Sequence, residues 1–416
     1  MNIYLIVIVG AMIVRYLVSL VADILNLSSI SPDLPQEFDG WYDNAKYAKS
    51  QQYLRDTTRF GILQDSFSTI FMLGFVLAGG FNFADKIARN AFGSGHGDIV
   101  NGLFFMGLLM FGSQILSLPF SWYSTFVIEE RYGFNRTSYK TFFVDIIKGW
   151  ALILVLGAPL LALVLFLFEK TGNLAWLWCW GSVTLIQILM MFVAPYIIMP
   201  LFNKFSPLED GELRSAVEDY ARKQSFAMRG VFTMDGSKRS SRSNAFFTGF
   251  GSSRRIVLFD TLIQKHSVPE LLAIVAHEMG HYKLHHIRKM ILQSIAVMGL
   301  SFFLMSLCIG NTKLFEAFGM EHVSIYAALV FFGFLYTPVS MLLGIVSNAV
   351  SRKHEFEADA FAVRTIDDKS AMIDGLKRLT VENLGNLKPH PFEVLLNYSH
   401  PPILQRIAAI NQKTSS

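Results

Sequence analysis

Val275-Ala276-His277-Glu278-Met279-Gly280-His281-Tyr282-Lys283 sets two imidazoles four residues apart with a carboxylate beside the first. On an α-helix, residues four apart share a face, so His277 and His281 can ligate one metal ion. Glu278 points about 100° away from that pair. It is too far round to compete as a ligand and near enough to hold a water at the same ion.

That spacing is the H-E-x-x-H pattern of zinc peptidases, in which the glutamate acts as general base. Two histidines and a glutamate on an otherwise apolar helix need partners to offset their desolvation. A structural or transport site has little use for a base beside two ligands, so Glu278 separates an enzyme from a transporter or receptor with a structural metal.

Outward from this stretch the chain is 52% hydrophobic and 16% charged. Soluble domains carry about 25% charged residues, so much of the chain belongs in lipid. The net charge of +4 lacks the basic clusters of a nucleic-acid binder. Cys179 and Cys308 both fall in apolar segments, which argues against a disulfide framework or a cysteine metal site. Residues 1–27 have no basic leader and too long an apolar run for a removable signal peptide.

Seven apolar runs are long enough to cross a bilayer, which takes about 20 residues: 3–25, 63–80, 103–126, 149–168, 174–199, 291–310 and 325–347. The segment 28–62 is polar and reads as a loop. The segments 26–62, 127–148, 200–290 and 348–416 carry 31 Lys and Arg, and the opposite loops carry 4. Basic residues favour the cytoplasmic face, so the N-terminus is expected outside or lumenal and the C-terminus cytoplasmic. The H-E-x-x-H helix then lies on the cytoplasmic side.

The expected organisation is residues 1–199 as five transmembrane helices, 200–290 as an α+β protease segment, 291–347 as two further spans and 348–416 as a helical protease segment. Within 200–290, a polar helix near residues 210–224 precedes strand-like runs at 231–234, 244–250 and 256–259. Ser267-Val268-Pro269-Glu270 marks the start of the metal helix, which is expected to run on into the sixth span.

A catalytic zinc takes three protein ligands and leaves one position open for water. Leu284 and Ile287 stand where a third-histidine zincin would carry its Gly and His. The other solution is a glutamate on a second helix. Ser351-Arg352-Lys353-His354-Glu355-Phe356-Glu357-Ala358-Asp359 follows the seventh span, with Glu355 and Asp359 on one face. Asp359 is then suited to orient a ligand histidine, and Glu357, about 200° round from Glu355, is expected in solvent.

These stretches together resemble the CAAX prenyl protease 1 family, membrane-integrated zinc metalloproteases of the M48 type. The resemblance rests on His277-Glu278-x-Gly280-His281 with His286, and on Ser351-Arg352-x-x-Glu355-Phe356-x-Ala358-Asp359. Three more stretches agree: Phe120-x-x-Tyr123-x-Thr125-Phe126-x-Ile128-Glu129-Glu130 with Gly133-Phe134-Asn135, then Asn244-Ala245-Phe246-Phe247-Thr248-Gly249-Phe250, and Ser399-His400-Pro401-Pro402. The first two motifs also occur in HtpX-type quality-control proteases.

The resemblance implies one Zn2+ per chain on His277, His281 and Glu355, with Glu278 as base. It also implies seven helices around an intramembrane chamber, capped on the cytoplasmic side by a zincin-like domain. It places Asn244 and His400 beside the metal, and the strand from Asn244 along the substrate backbone. His400 is the first candidate for a second electrophile toward the scissile carbonyl and Asn244 the next.

His285, His286 and His354 stay outside the ligand set, as surface residues or supports. The run Lys238-Arg239-Ser240-Ser241-Arg242 reads as a solvated loop, and Glu129 and Glu130 as structural ion-pair partners. The expected partners are the bilayer and a peptide or prenylated protein, with no nucleic acid and a monomeric chain. The expected membrane is a bacterial inner membrane or the endoplasmic reticulum. The expected activity is CAAX-type removal of a C-terminal tripeptide, with broad-specificity quality control as the alternative.

Overall fold

The computed structural model describes residues 2–92, 97–249 and 254–414. Among these, seven helices are long and apolar enough to cross a membrane: Ile3–Ser28, Asn44–Leu77, Asp98–Tyr132, Tyr139–Lys170, Gly172–Val193, His286–Ser306 and Ile325–Thr365. Their number and order match the apolar runs. Their ends do not, because polar helix continues past the lipid wherever tertiary contacts support it. The second helix starts at Asn44, capped by the Asp43 carboxylate on the Lys46 N–H, so half of the expected 28–62 loop is helical.

The seventh helix has 41 residues. That is about 60 Å of helix against about 30 Å of hydrocarbon. Its last turns therefore leave the bilayer as one rigid rod and carry Glu355 and Asp359 with them. Each span buries only 6–17% of its most apolar window. Helices in a solid bundle bury more, so this low burial fits a ring of spans around a hollow. A cavity of about 670 Å³ opens among the helices, lined by Phe67, Phe71 and Phe120 with Gln64, Ser113 and Gln114.

Phe81, Phe315, Phe318, Phe331 and Tyr326 form a buried cluster, with Phe318 and Phe331 stacked 3.8 Å apart. A four-stranded sheet is built from β1 (Phe205–Pro207), β2 (Gly230–Met234), β3 (Ala245–Thr248) and β4 (Arg255–Phe259), in the order β1-β2-β4-β3. The β2–β4 pair is parallel and the other two pairs are antiparallel. The short β1, only three residues with a proline, escapes the sequence pattern. β3 is an edge strand, and the expected run 244–250 ends on Phe250, which lies outside the described residues.

Val231, Ile256 and Leu258 of this sheet pack against Leu271, Val275, Ala276 and Met279 of helix Val268–Lys283. Val363 and Ile407 complete that core. Burying these side chains stabilises by roughly 1.5–3 kcal/mol each, which holds the helix bearing His277 and His281 against the sheet. The helix does not run into the sixth span. It ends at Lys283, and His285 adopts a left-handed conformation (φ +60°) before a new helix starts at His286.

The run 238–242 is docked, not solvated. Arg239 pairs with Asp145 at 2.8 and 3.0 Å, and Arg242 reaches both oxygens of Glu129 at 3.0 Å. Backbone bonds from Arg136 to Arg239 and from Ser241 to Phe134 join the two segments. This clasp ties the loop after the third span to the strand that leads into β3. Two arginines three positions apart look like a solvated run until the acidic partners, about a hundred residues earlier, are brought alongside.

Candidate metal centre

The helix carrying the two histidines begins with a Ser267 N–H donating to Glu270 Oε2 at 2.9 Å, and Glu270 is gripped in turn by Arg378. That fixes its start, while Gly280 fixes its approach to the seventh helix. A Cβ on Gly280 would sit 3.1 Å from the Ala358 Cα and 3.2 Å from its carbonyl oxygen. A side chain here would press the two helices apart, and this close crossing brings Glu355 over His277 and His281.

The three side chains converge. His277 Nε2 lies 3.1 Å from His281 Nε2 and 3.3 Å from Glu355 Oε2, and His281 Nε2 lies 3.2 Å from Glu355 Oε1. Zinc bonds of about 2.0–2.1 Å at tetrahedral angles put neighbouring ligand atoms about 3.3 Å apart. The observed spacings match within 0.2 Å or so of that figure. Glu355 Oε2 is buried without a hydrogen bond, the Arg406 guanidinium standing 3.5 Å off, an arrangement costly for a carboxylate unless a cation meets it more closely. The site thus fits a metal ion by spacing, donor type and an orphaned oxygen.

Asp359 Oδ1 accepts from His277 Nδ1 at 2.8 Å, one turn along from Glu355. Arg406 then forks onto Asp359, Nε to Oδ2 at 2.8 Å and Nη2 to Oδ1 at 2.6 Å, with Nη1 3.5 Å from Glu355. The sequence reading missed Arg406. Its signal is slight: one arginine in the helix Ile403–Thr414, six residues after His400, whose amphipathic pattern otherwise reads as a solvated cation. Burial opposes charge on His277, but Asp359 and Glu355 outweigh it and lift the imidazole to about 9.

Glu278 lies beside this cluster with its carboxyl pushed up by burial, against the lowering effect of the two histidines. His400 presents Nε2 3.4 Å from Glu355 Oε1, and its Nδ1 meets the Ser399 hydroxyl at 3.0 Å. Its ring is largely exposed. Asn244 stands at the head of β3 with its amide oxygen on the Ala245 N–H at 2.8 Å. Its side chain is thus turned toward its own strand.

One residue departs from expectation. Glu357 is not free in solvent: its Oε2 pairs with His286 Nε2 at 2.9 Å. Of the histidines expected at the surface or as supports, His286 and His354 are buried.

Sequence comparison extends this picture beyond the site. Residues 23–204 match a family described as CAAX prenyl protease N-terminal, five membrane helices, and residues 207–414 match Peptidase family M48. The chain is 36% identical to the CAAX prenyl protease 1 homolog of Arabidopsis thaliana, over 97% of this chain and 96% of that protein. It is 33% identical to CAAX prenyl protease 1 of Saccharomyces cerevisiae, covering 91% and 88% respectively. The crystal structure of S. mikatae Ste24p superposes with a TM-score of 0.93 at 32% identity, over 98% of this chain and 99% of that one. With seven membrane helices and a histidine–carboxylate cluster already described, the chain belongs to peptidase family M48, among the CAAX prenyl protease 1 proteins, and is a multi-pass membrane metalloprotease.

Proposed function

We propose that this chain is a zinc endopeptidase that removes the C-terminal tripeptide from prenylated CAAX substrates at the cytoplasmic face of its membrane. The observation that carries the reading is the convergence of His277, His281 and Glu355 within 3.3 Å of one another beside Glu278. The substrate class comes from relatives named CAAX prenyl protease 1 over nearly their whole length.

His277, His281 and Glu355 are the residues that hold the metal, and zinc is the ion that a two-histidine, one-glutamate set selects. When bound, zinc lowers the pKa of its water to about 7 and draws charge from the scissile carbonyl. Glu278 takes a proton from the water as oxygen attacks the carbonyl carbon. It returns that proton to the amine nitrogen as the C–N bond breaks. Its burial-raised carboxyl suits both halves of that transfer. His400 donates from Nε2 to the oxyanion as charge develops there, with Asn244 as the second candidate. Asp359, gripped by Arg406, holds His277 in the ligating tautomer.

The free edge of β3 receives the substrate as an added strand, so main-chain hydrogen bonds supply affinity with little demand on side chains. The N-terminus then faces outside and the C-terminus the cytoplasm, as the 31-to-4 distribution of basic residues argues. The test is purified protein offered a farnesylated CAAX peptide and the same peptide without the lipid. Preferential cleavage of the farnesylated form before the tripeptide supports the proposal. Equal cleavage of both would replace it with a broad-specificity protease.

A further inference from the structure

A ligating imidazole presents one ring nitrogen as a lone pair, so its other nitrogen carries a proton and needs an acceptor. For His277 that acceptor is Asp359. His281 has a different partner: its Nδ1 lies 3.2 Å from Nδ1 of His286, and His286 Nε2 lies 2.9 Å from Glu357 Oε2. Two facing nitrogens bond only if one carries the proton and the other is bare.

A single proton assignment satisfies every atom of this chain when His281 ligates through Nε2. His281 Nδ1–H donates to a bare His286 Nδ1, and His286 Nε2–H donates to the Glu357 carboxylate. We propose that His286, anchored by Glu357, is the positioning residue that fixes the tautomer and ring plane of His281 for metal binding. The inference rests on the metal-site reading above and extends it outward from His281 by two residues, His286 and Glu357.

The backbone is shaped for this contact. The left-handed His285 breaks the helix immediately after the motif and turns His286 back toward His281, at 0% exposure. His354 stacks on the outer face of His286, with centroids 4.0 Å apart and planes 12° from parallel. That stacking closes the ring's rotational freedom. The same stacking argues against a second ion shared by His286, His354 and Glu357. An ion must lie near the plane of each ring that binds it, and near-parallel planes at this separation do not meet within about 2 Å of both nitrogens.

The test measures zinc affinity of full-length protein in detergent, by competition with a chromophoric chelator, together with the Co2+ absorption spectrum. His286→Phe keeps the ring and its stack but removes the acceptor. It is expected to weaken zinc roughly 10- to 100-fold and to shift the Co2+ bands. Glu357→Ala, at a half-exposed position that tolerates change, is expected to act in the same direction, with no further loss in the double variant. His286→Gln, whose amide oxygen accepts from His281, is expected to recover part of the affinity.

Unchanged zinc affinity and Co2+ spectrum in Glu357→Ala and His286→Phe, while His281→Ala releases zinc, would overturn the relay and leave the metal site standing. Zinc retained by His281→Ala would overturn the metal site itself. Two zinc ions per chain falling to one in Glu357→Ala would overturn the relay in favour of a shared second ion.

Discussion

Gly280 and Ala358 cross so closely that a Cβ on the glycine would fall 3.1 Å from the alanine Cα. The neighbour is backbone on a long helix and cannot rotate away. Gly280→Val should therefore push the two helices apart, costing about 1–3 kcal/mol through overpacking and opening the gap between Glu355 and the histidines. The expected result is a lower thermal midpoint together with weaker zinc binding, read by unfolding in detergent with and without added zinc. A valine variant that binds zinc normally would show that the crossing distance does not set the site.

On the proposed mechanism Glu278 handles the proton and does not ligate the ion, so its removal separates binding from turnover. Glu278→Gln keeps the shape and loses the proton acceptor. Zinc content by atomic absorption should stay at one per chain while kcat falls roughly 100- to 10,000-fold. Loss of zinc together with activity would instead make Glu278 part of the metal's support.

His400 is largely exposed, with Nε2 3.4 Å from Glu355. An oxyanion donor contributes in the transition state more than in the ground state. His400→Ala should therefore lower kcat roughly 100- to 1,000-fold with KM nearly unchanged. Steady-state kinetics on one fluorogenic peptide decides it, and a rise in KM alone would reassign His400 to substrate binding.

Arg406 is buried against Asp359, and taking away one member of such a pair leaves a charge without its partner. Arg406→Met should cost about 3–5 kcal/mol and loosen His277 through Asp359. The expected readout is a large drop in the midpoint of the metal-free protein, with zinc recovering part of it because an ion bound only by the folded state stabilises it. Asp359→Asn with Arg406→Met should restore some stability, since the pair is then removed whole. If the double variant is no better than either single one, the two residues are not a unit.

Much of this was readable from local pattern. The run lengths of apolar residues count the spans, because hydrocarbon thickness sets helix length one segment at a time. The four-residue interval sets His277 over His281, because helical geometry is the same wherever the helix sits. Glu355 and Asp359 could be nominated on the same ground, as one face of a helix just past a span.

What remained hidden lay between elements. The break at His285 depends on a single residue taking a left-handed conformation that nothing in its neighbours' types demands. Arg406, the docking of Arg239 and Arg242 on Asp145 and Glu129, and the pairing of His286 with Glu357 all join residues far apart in sequence. By itself the amino-acid order determined how many segments are long and apolar enough to cross a bilayer and which residues are able to bind a metal. Only the tertiary structure decided that Glu355 meets the two imidazoles, and which charges support them. Periodicity governs contacts within a helix, whereas the distance at which two helices cross depends on packing that no single segment contains.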